Sequence, residues 1–239
     1  MTTSILLYSG GLDSFITAML NPEVSLLYVD TRASYNAKEK YFLRRLMPDR
    51  PVIIDNRLDL SGLEREDKIV PSRNLLLIAI ASYYGNDVWL SATAGDNSRD
   101  KDGTFAELAS NLFSYMLSGG HYPNAEKVQV RLPYKWWSKG QLVDKYLAAG
   151  HPPEFLSKTV SCYHPVLEHC GRCKACIRKW IALAGNAVDK THWSFPPWEA
   201  EIWPDIVAKI LAPEGVWRCK AEDSETLEVL ATFRPDLLR

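Results

Sequence analysis

Cysteine is missing from the first 161 residues; the five present lie at 162, 170, 173, 176 and 219. A disulfide framework is not distributed that way, and the gap excludes an N-terminal cysteine nucleophile. Excess charge of one sign is also lacking. Twenty-eight Lys and Arg against 29 Asp and Glu leave a net charge of −1, which gives no general pull toward nucleic acid or an anionic membrane. No apolar stretch reaches spanning length and no signal-peptide core stands at the start, so a soluble, cytoplasmic protein is expected. Repeats and low-complexity tracts are absent, as is any G-x-x-x-x-G-K-[ST] phosphate loop. What remains is a 239-residue chain, 46% hydrophobic, enough for one large domain or a domain with a small appendage.

The most informative stretch is Ser9-Gly10-Gly11-Leu12-Asp13-Ser14, directly after the apolar run Ile5-Leu6-Leu7-Tyr8 and before the helical run Phe15–Leu20. Two glycines let the backbone approach an anion with no Cβ in the way. The N–H groups of the turn and of the opening helix then point at phosphate oxygens, helped by the helix dipole. Ser9 and Ser14 add hydroxyl donors, and Asp13 is suited to Mg²⁺ or to capping the helix. A plain polar turn between strand and helix is the bland alternative. Position and residue mix argue against it.

Apolar runs alternate with helical patterns over the first two-thirds of the chain. Strands are predicted at 5–8, 25–29, 52–55, 87–91 and 128–132, with helices near 14–20, 36–46, 73–84 and 104–117. This alternation predicts an α/β fold with a doubly wound parallel sheet, ligands sitting beyond the carboxyl ends of the strands. The 9–14 loop lies at one such end and Asp30 at the next. Ser138 is a good N-cap and Gly150 a good stop for a further helix. Boundaries are placed at 1–155 for the ATP-binding α/β domain, 156–190 for a cysteine region and 191–239 for an extension. That extension opens on a Trp/Pro-rich connector, carries helices at about 198–211 and 223–232, and is read as packing on the body or on a second subunit, without chemistry of its own.

Cys162, Cys170, Cys173 and Cys176 form C-x7-C-x2-C-x2-C, with Gly171 freeing the backbone between ligands. Four thiolates from one short segment are the ligand set of a closed, structural zinc site, and zinc would tie Cys162 to a helix beginning near Ile177. The rival is an iron–sulfur cluster, since C-x2-C-x2-C also begins the ferredoxin run; nothing like C-x3-C-P follows Cys176. His164 and His169 are close enough to substitute as ligands. Cys219 reads as an ordinary thiol.

The S-G-G-x-D-S loop resembles the pyrophosphate loop of the N-type ATP pyrophosphatases. Paired with Ser161-Cys162-Tyr163 and Cys170-Gly171-Arg172-Cys173-Lys174-Ala175-Cys176, it resembles the 7-cyano-7-deazaguanine synthases, the QueC family. Val70-Pro71-Ser72-Arg73-Asn74, Gly95-Asp96 and Pro133 with Ser138-Lys139 agree in order with that family's segments. The resemblance covers roughly residues 4–180. Two stretches depart: Asp30 is followed by Thr31-Arg32-Ala33 where the family has Y-G-Q, and Asn97–Phe105 replaces its G-Y-P-D-C-R stretch.

The resemblance implies an ATP-dependent carbon–nitrogen ligase of queuosine biosynthesis, acting on 7-carboxy-7-deazaguanine with ammonia, ATP and Mg²⁺, and holding structural Zn²⁺. Ser9, Gly10, Gly11, Leu12, Asp13, Ser14 and Asp30 would bind the nucleotide. Asp13, Arg73 and Lys139 would serve catalysis, Lys139 neutralising charge on pyrophosphate. Arg73, Asn74 and Asp96 would bind substrate, the first a fixed cation and the second an amide for a base edge. A homodimer without membrane or direct nucleic-acid contact is the implied state. Three alternatives stay open: a relative that stops at the amide or passes the acyl group to another acceptor, a tRNA-thiolating enzyme, and a zinc-ribbon nucleic-acid module with Lys174, Arg178 and Lys179 as its basic face.

Overall fold

Residues 3–117, 126–164 and 167–238 are described in a computed structural model of the chain. Five parallel strands, β1 (Ser4–Leu7), β2 (Ser25–Val29), β3 (Val52–Asp55), β4 (Asp87–Trp89) and β5 (Gln129–Arg131), form one sheet in the order β3-β2-β1-β4-β5. The α/β architecture is the one the alternation predicts. β1 explains why both faces are covered. Its side chains point alternately, and all are apolar after Ser4. Leu6 and Tyr8 pack with Phe15 and Ile16 of α1 (Leu12–Leu20), Leu43 and Leu46 of α2 (Asn36–Leu46), and Leu142 and Val143 of α5 (Lys139–Ala148). Ile5 and Leu7 face Ile78 and Ala81 of α3 (Arg73–Ala81) and Ala106, Ala109 and Phe113 of α4 (Gly103–Met116).

The order reverses at β1: the chain moves from β1 to β2 and β3, then crosses back to place β4 on β1's other side. The crevice between the carboxyl ends of β1 and β4 is therefore the topological switch point where such folds take ligands.

Several boundaries are tighter than the sequence predicts. α3 ends at Ala81 rather than near 84, because the Tyr84 and Gly85 N–H groups both turn back onto the Ala81 carbonyl. β5 ends at Arg131, two residues before Pro133, which has no N–H for a ladder. α5 starts as its cap signals predict: Ser138 Oγ accepts from Gln141 N while Gln141 returns to Ser138 N, and Gly150 beyond its end has φ +79°.

Past the sheet, α6 (Glu154–Lys158) leads to the cysteine segment and to α7 (Lys174–Gly185). α8 (Trp203–Leu211) and α9 (Lys220–Phe233) fold back onto α7 around a second core of Trp180, Trp203, Ile206, Trp217 and Leu230, with Trp180 and Trp203 in edge contact at 5.7 Å. Among the described residues, no helix is long and apolar enough to cross a membrane.

Candidate functional site

The 9–14 loop is tightly self-bonded. Gly10 takes φ +71°, which an L side chain would resist. Ser14 Oγ donates to the Gly11 carbonyl at 3.1 Å and accepts from Ser9 N at 3.3 Å, while Gly11 N donates to Ser9 Oγ at 3.3 Å. From outside, Val160 N donates to the Gly10 carbonyl at 2.9 Å, and Gly11 forms a β-bridge with Val160. A Cβ on Gly11 would lie 3.2 Å from both Ser9 Oγ and the Val160 carbonyl, so this residue is pressed between the two. No side chain caps α1 after it, so its first N–H groups have no side-chain acceptor, the condition under which a helix N-terminus can take an anion.

A cavity of about 210 Å³ opens in front of this loop. Four cations line it (Arg73, Lys101, Lys139 and Arg178) against three acids (Asp13, Glu39 and Asp96), with apolar wall from Leu7, Leu27, Val29, Leu77 and Leu90. Lys139, at the first turn of α5, forks its ammonium onto both carboxylate oxygens of Asp13, 2.5 Å to Oδ2. Arg73 opens α3 directly after Ser72, whose φ of 57° is a strained left-handed conformation for a residue with a side chain. Its guanidinium donates to the Tyr35 hydroxyl, and Tyr35 packs edge-on against Tyr163 at 5.3 Å. Glu39 stands beside this pair, accepting from the Tyr28 hydroxyl at 3.0 Å. Burial pushes its carboxyl up to about 7, against the opposing pull of Arg73 and the Tyr28 bond.

Asp96 sits in the turn after β4. Its Oδ1 accepts from Arg178 Nη1 at 2.8 Å and its Oδ2 from Thr93 N at 3.0 Å. Burial would raise its pKa, but the nearby Lys101, Arg178 and Lys139 outweigh that and hold it well below the usual carboxylate range. Behind Arg178 lies Glu222 of α9, which takes Nε at 3.0 Å and Nη2 at 2.8 Å. Asn74 is buried and donates to Asp100 Oδ2 at 2.9 Å while still lining the cavity.

Of the residues the sequence singles out, Ser9, Gly11, Leu12, Asp13, Ser14, Arg73, Asn74, Asp96, Lys139 and Cys162 meet at this cavity. Gly10 faces Leu43 and Leu46 instead. The Asp30 carboxylate pairs with Lys40 at 2.6 Å and accepts from Arg32 N, and Asp30 does not line the cavity, although its neighbours Val29 and Thr31 do. Glu39, Tyr35, Lys101, Arg178 and Glu222 were not singled out for this site. Nor is the 191–239 extension without a part in it: Glu222 braces Arg178, and Glu225 accepts from Ser138 Oγ.

The four cysteines converge, their Sγ atoms all within 4.8 Å of one another. Cys170 and Cys176 Sγ are 3.8 Å apart, and four sulfurs at about 2.3 Å around tetrahedral zinc would be separated by about 3.8 Å. Backbone N–H groups of Arg172 and Cys173 point at Cys170 Sγ, both at 3.4 Å, and Cys176 N points at Cys173 Sγ at 3.5 Å. These donors are oriented to stabilise thiolates. Cys173 thereby caps α7, which begins at Lys174 rather than near Ile177. The donor set fits zinc. The supposed basic face beside it does not form: Arg178 points into the cavity, and Lys179 is buried, donating to the Ser157 and Thr159 carbonyls at 2.9 and 2.7 Å. Only Lys174 of the three is exposed.

Residues 45–186, more than half of the chain, match the family model described as queuosine biosynthesis protein QueC. The chain belongs to the QueC family. It is similar to the 7-cyano-7-deazaguanine synthase of Marinobacter nauticus, 28% identical over 125 residues that are 50% of this chain and 53% of that protein. The synthase of Halobacterium salinarum is 32% identical over 123 residues, 49% of this chain and 51% of that protein. With these two the chain matches about half of the relative's length. The alignment with the Methanopyrus kandleri synthase is longer: 26% identity over 232 residues, 79% of this chain and 97% of that protein. The QueC match begins after the 9–14 loop, so the phosphate-binding reading of that loop rests on its own geometry.

Proposed function

We propose that this protein is an ATP-dependent ligase that converts 7-carboxy-7-deazaguanine to its nitrile with ammonia, as the names of its relatives suggest. The observation that carries the reading is one cavity joining an uncapped helix N-terminus and serine-rich loop to four converging cations. In the first half-reaction a substrate carboxylate oxygen attacks the α-phosphorus of ATP and pyrophosphate leaves. Ammonia then attacks the acyl carbon, AMP departs and one proton is lost from nitrogen. In the second half-reaction the amide oxygen attacks the α-phosphorus of a second ATP and a second pyrophosphate leaves; loss of AMP with two protons then gives the nitrile.

The chain's share is positioning and electrostatics. Ser9, Gly11, Ser14 and the first N–H groups of α1 hold the departing phosphates. Lys139 would exchange Asp13 for the developing pyrophosphate charge, and Asp13 is the carboxylate that would hold Mg²⁺. Arg73 and Asn74, at the start of α3, border the reacting carboxylate. The apolar wall takes the purine-like ring faces. Ammonia enters free, because every cysteine but Cys219 belongs to the metal cluster. The zinc site is structural, its four protein ligands leaving no open position. Reduced thiols fit a cytoplasmic setting. A homodimer is the expected assembly, which light scattering tests.

The deciding experiment is mass spectrometry of products from ATP, Mg²⁺, ammonium and 7-carboxy-7-deazaguanine. Nitrile with two AMP per turnover supports the reading. Amide with one AMP would make the enzyme a relative that stops halfway, and no AMP would overturn the substrate assignment.

A further inference from the structure

Lys101 differs from the other three cavity cations. Arg73 donates to Tyr35, Lys139 to Asp13, and Arg178 to Asp96, Glu222 and Thr93. Lys101 Nζ makes no side-chain hydrogen bond among the described residues. Its nearest partner is Asp96 Oδ2 at 3.8 Å, beyond hydrogen-bonding reach. That oxygen also accepts from Thr93 N, and Oδ1 from Arg178, so both oxygens of Asp96 are hydrogen-bonded without Lys101, whose charge adds only at longer range. An ammonium has three donors and no acceptor capacity, and with its side chain 26% exposed at a cavity wall it leaves them in want of an oxyanion.

The backbone that carries the ammonium is nevertheless firmly placed. It closes a 3₁₀ turn, Arg99–Lys101, in which Lys101 N donates to the Ser98 carbonyl at 3.1 Å. Asn74 grips the turn by donating to the Asp100 carbonyl at 3.2 Å and to its carboxylate at 2.9 Å. Asp102, the next residue, caps α4 by accepting from Phe105 N at 2.7 Å. The root of the side chain is thereby fixed, which lowers the ordering cost of meeting a ligand.

The charge of Lys101 is felt at Asp13 as well as at Asp96, and it is the root of the side chain that sets it apart from the phosphate donors. The phosphate donors, Ser9 to Ser14 and Lys139, belong to the β1 loop and the start of α5. Lys101 comes from the β4–α4 connection, whose turn is bonded to the start of α3 beside Arg73. We infer that Lys101, with Arg73, binds the carboxylate of the acid substrate and sets the specificity of this chain for an acidic rather than a neutral co-substrate. The inference rests on the ligase reading above and names the residue that selects its acid.

The test is calorimetric titration of the zinc-loaded, full-length protein, with its Lys101→Met and Lys101→Arg variants, by 7-carboxy-7-deazaguanine and separately by ATP with Mg²⁺. Wild-type zinc content and melting temperature certify that a variant is folded. The expected result is a loss of at least tenfold in affinity for the acid in Lys101→Met, partial rescue in Lys101→Arg, and ATP affinity within about twofold of wild type. Unchanged acid binding by Lys101→Met would overturn the inference. An equal or larger loss for ATP would overturn it too, by making Lys101 a phosphate ligand. Failure of the ligase reading would show in a different arm, as wild-type protein that binds ATP but gives no heat with the acid.

Discussion

Arg178 and Glu222, forty-four residues apart, are joined by two parallel hydrogen bonds of 3.0 and 2.8 Å, and the same guanidinium reaches Asp96 on its other side at 2.8 Å. The pair ties α9 to the rim of the cavity. Removing one partner of a buried charge pair leaves the other uncompensated, which costs more than the pair contributes. Glu222→Ala is therefore expected to lower the unfolding free energy by about 3 kcal/mol in urea titration. Replacing both in Arg178→Met/Glu222→Leu should cost at least 1 kcal/mol less than the two single changes summed. Strict additivity would refute the coupling.

Lys139 binds Asp13 at the cavity wall, and the proposed mechanism has it neutralise the leaving pyrophosphate. Lys139→Met should lower kcat by ~10²–10³ while leaving the KM for the acid within a fewfold, since the lost interaction strengthens only as charge moves onto the leaving group. Steady-state AMP release measures both. A change confined to KM would move Lys139 out of the transition state.

For the metal, elemental analysis should find one zinc per chain and no iron, without a visible absorbance band. Cys176→Ser, or prolonged chelation, should remove it and lower stability on the order of 5 kcal/mol. Gly171→Ala should mimic the loss without touching a ligand. Gly171 has φ +72°, and its Cβ would land 1.7 Å from the Phe195 carbonyl oxygen.

Glu39 gives a pH dependence of definite sign. Its folded-state pKa of about 7 stands above the ordinary 4.5, so between those values the folded chain keeps a proton that the unfolded chain releases. The contribution is whole below about pH 4.5 and is lost as pH rises through 7. Glu39→Gln removes the dependence and keeps an acceptor for Tyr28. The variant should gain on wild type from pH 5 to about pH 7 and level off above it, the total being roughly 2.5 kcal/mol, or about 5–10 °C in melting temperature for a chain this size. An advantage that shrinks as pH rises would refute it.

The strands, the Ser9–Ser14 loop and the cysteine cluster are legible in the sequence because each is local: a strand needs its own apolar run, a loop its own glycines, a knuckle its own spacing. Arg178 is not. In sequence it sits between Cys176 and Lys179 and reads as part of a basic stripe, yet one residue of helical rotation sends Arg178 into the cavity and Lys179 under the Ser157 and Thr159 carbonyls. Glu222 is harder still, since its role depends on α9 folding back 44 residues after Arg178. Two glycines carry the faint signal that was available. A Cβ on Gly95 would meet the Glu222 carboxylate at 2.2 Å, and one on Gly140 the Glu225 carboxylate at 2.6 Å, so both positions are cleared for α9. Asp30 is the converse case: its place after β2 points to the nucleotide, while Lys40, ten residues on along α2, pairs with its carboxylate.

Four consecutive residues, Val160 to Tyr163, answer to three masters. Val160 hydrogen-bonds the Gly10 carbonyl, Ser161 and Tyr163 wall the cavity, and Cys162 reaches the four-cysteine cluster. Substituting one of them disturbs one task; changing the length of the stretch disturbs all three at once. Insertion or deletion of a single residue there would slide the phosphate loop's clamp, the cavity wall and the first ligand out of frame together. This segment works as a ruler, and its length is constrained more severely than its composition.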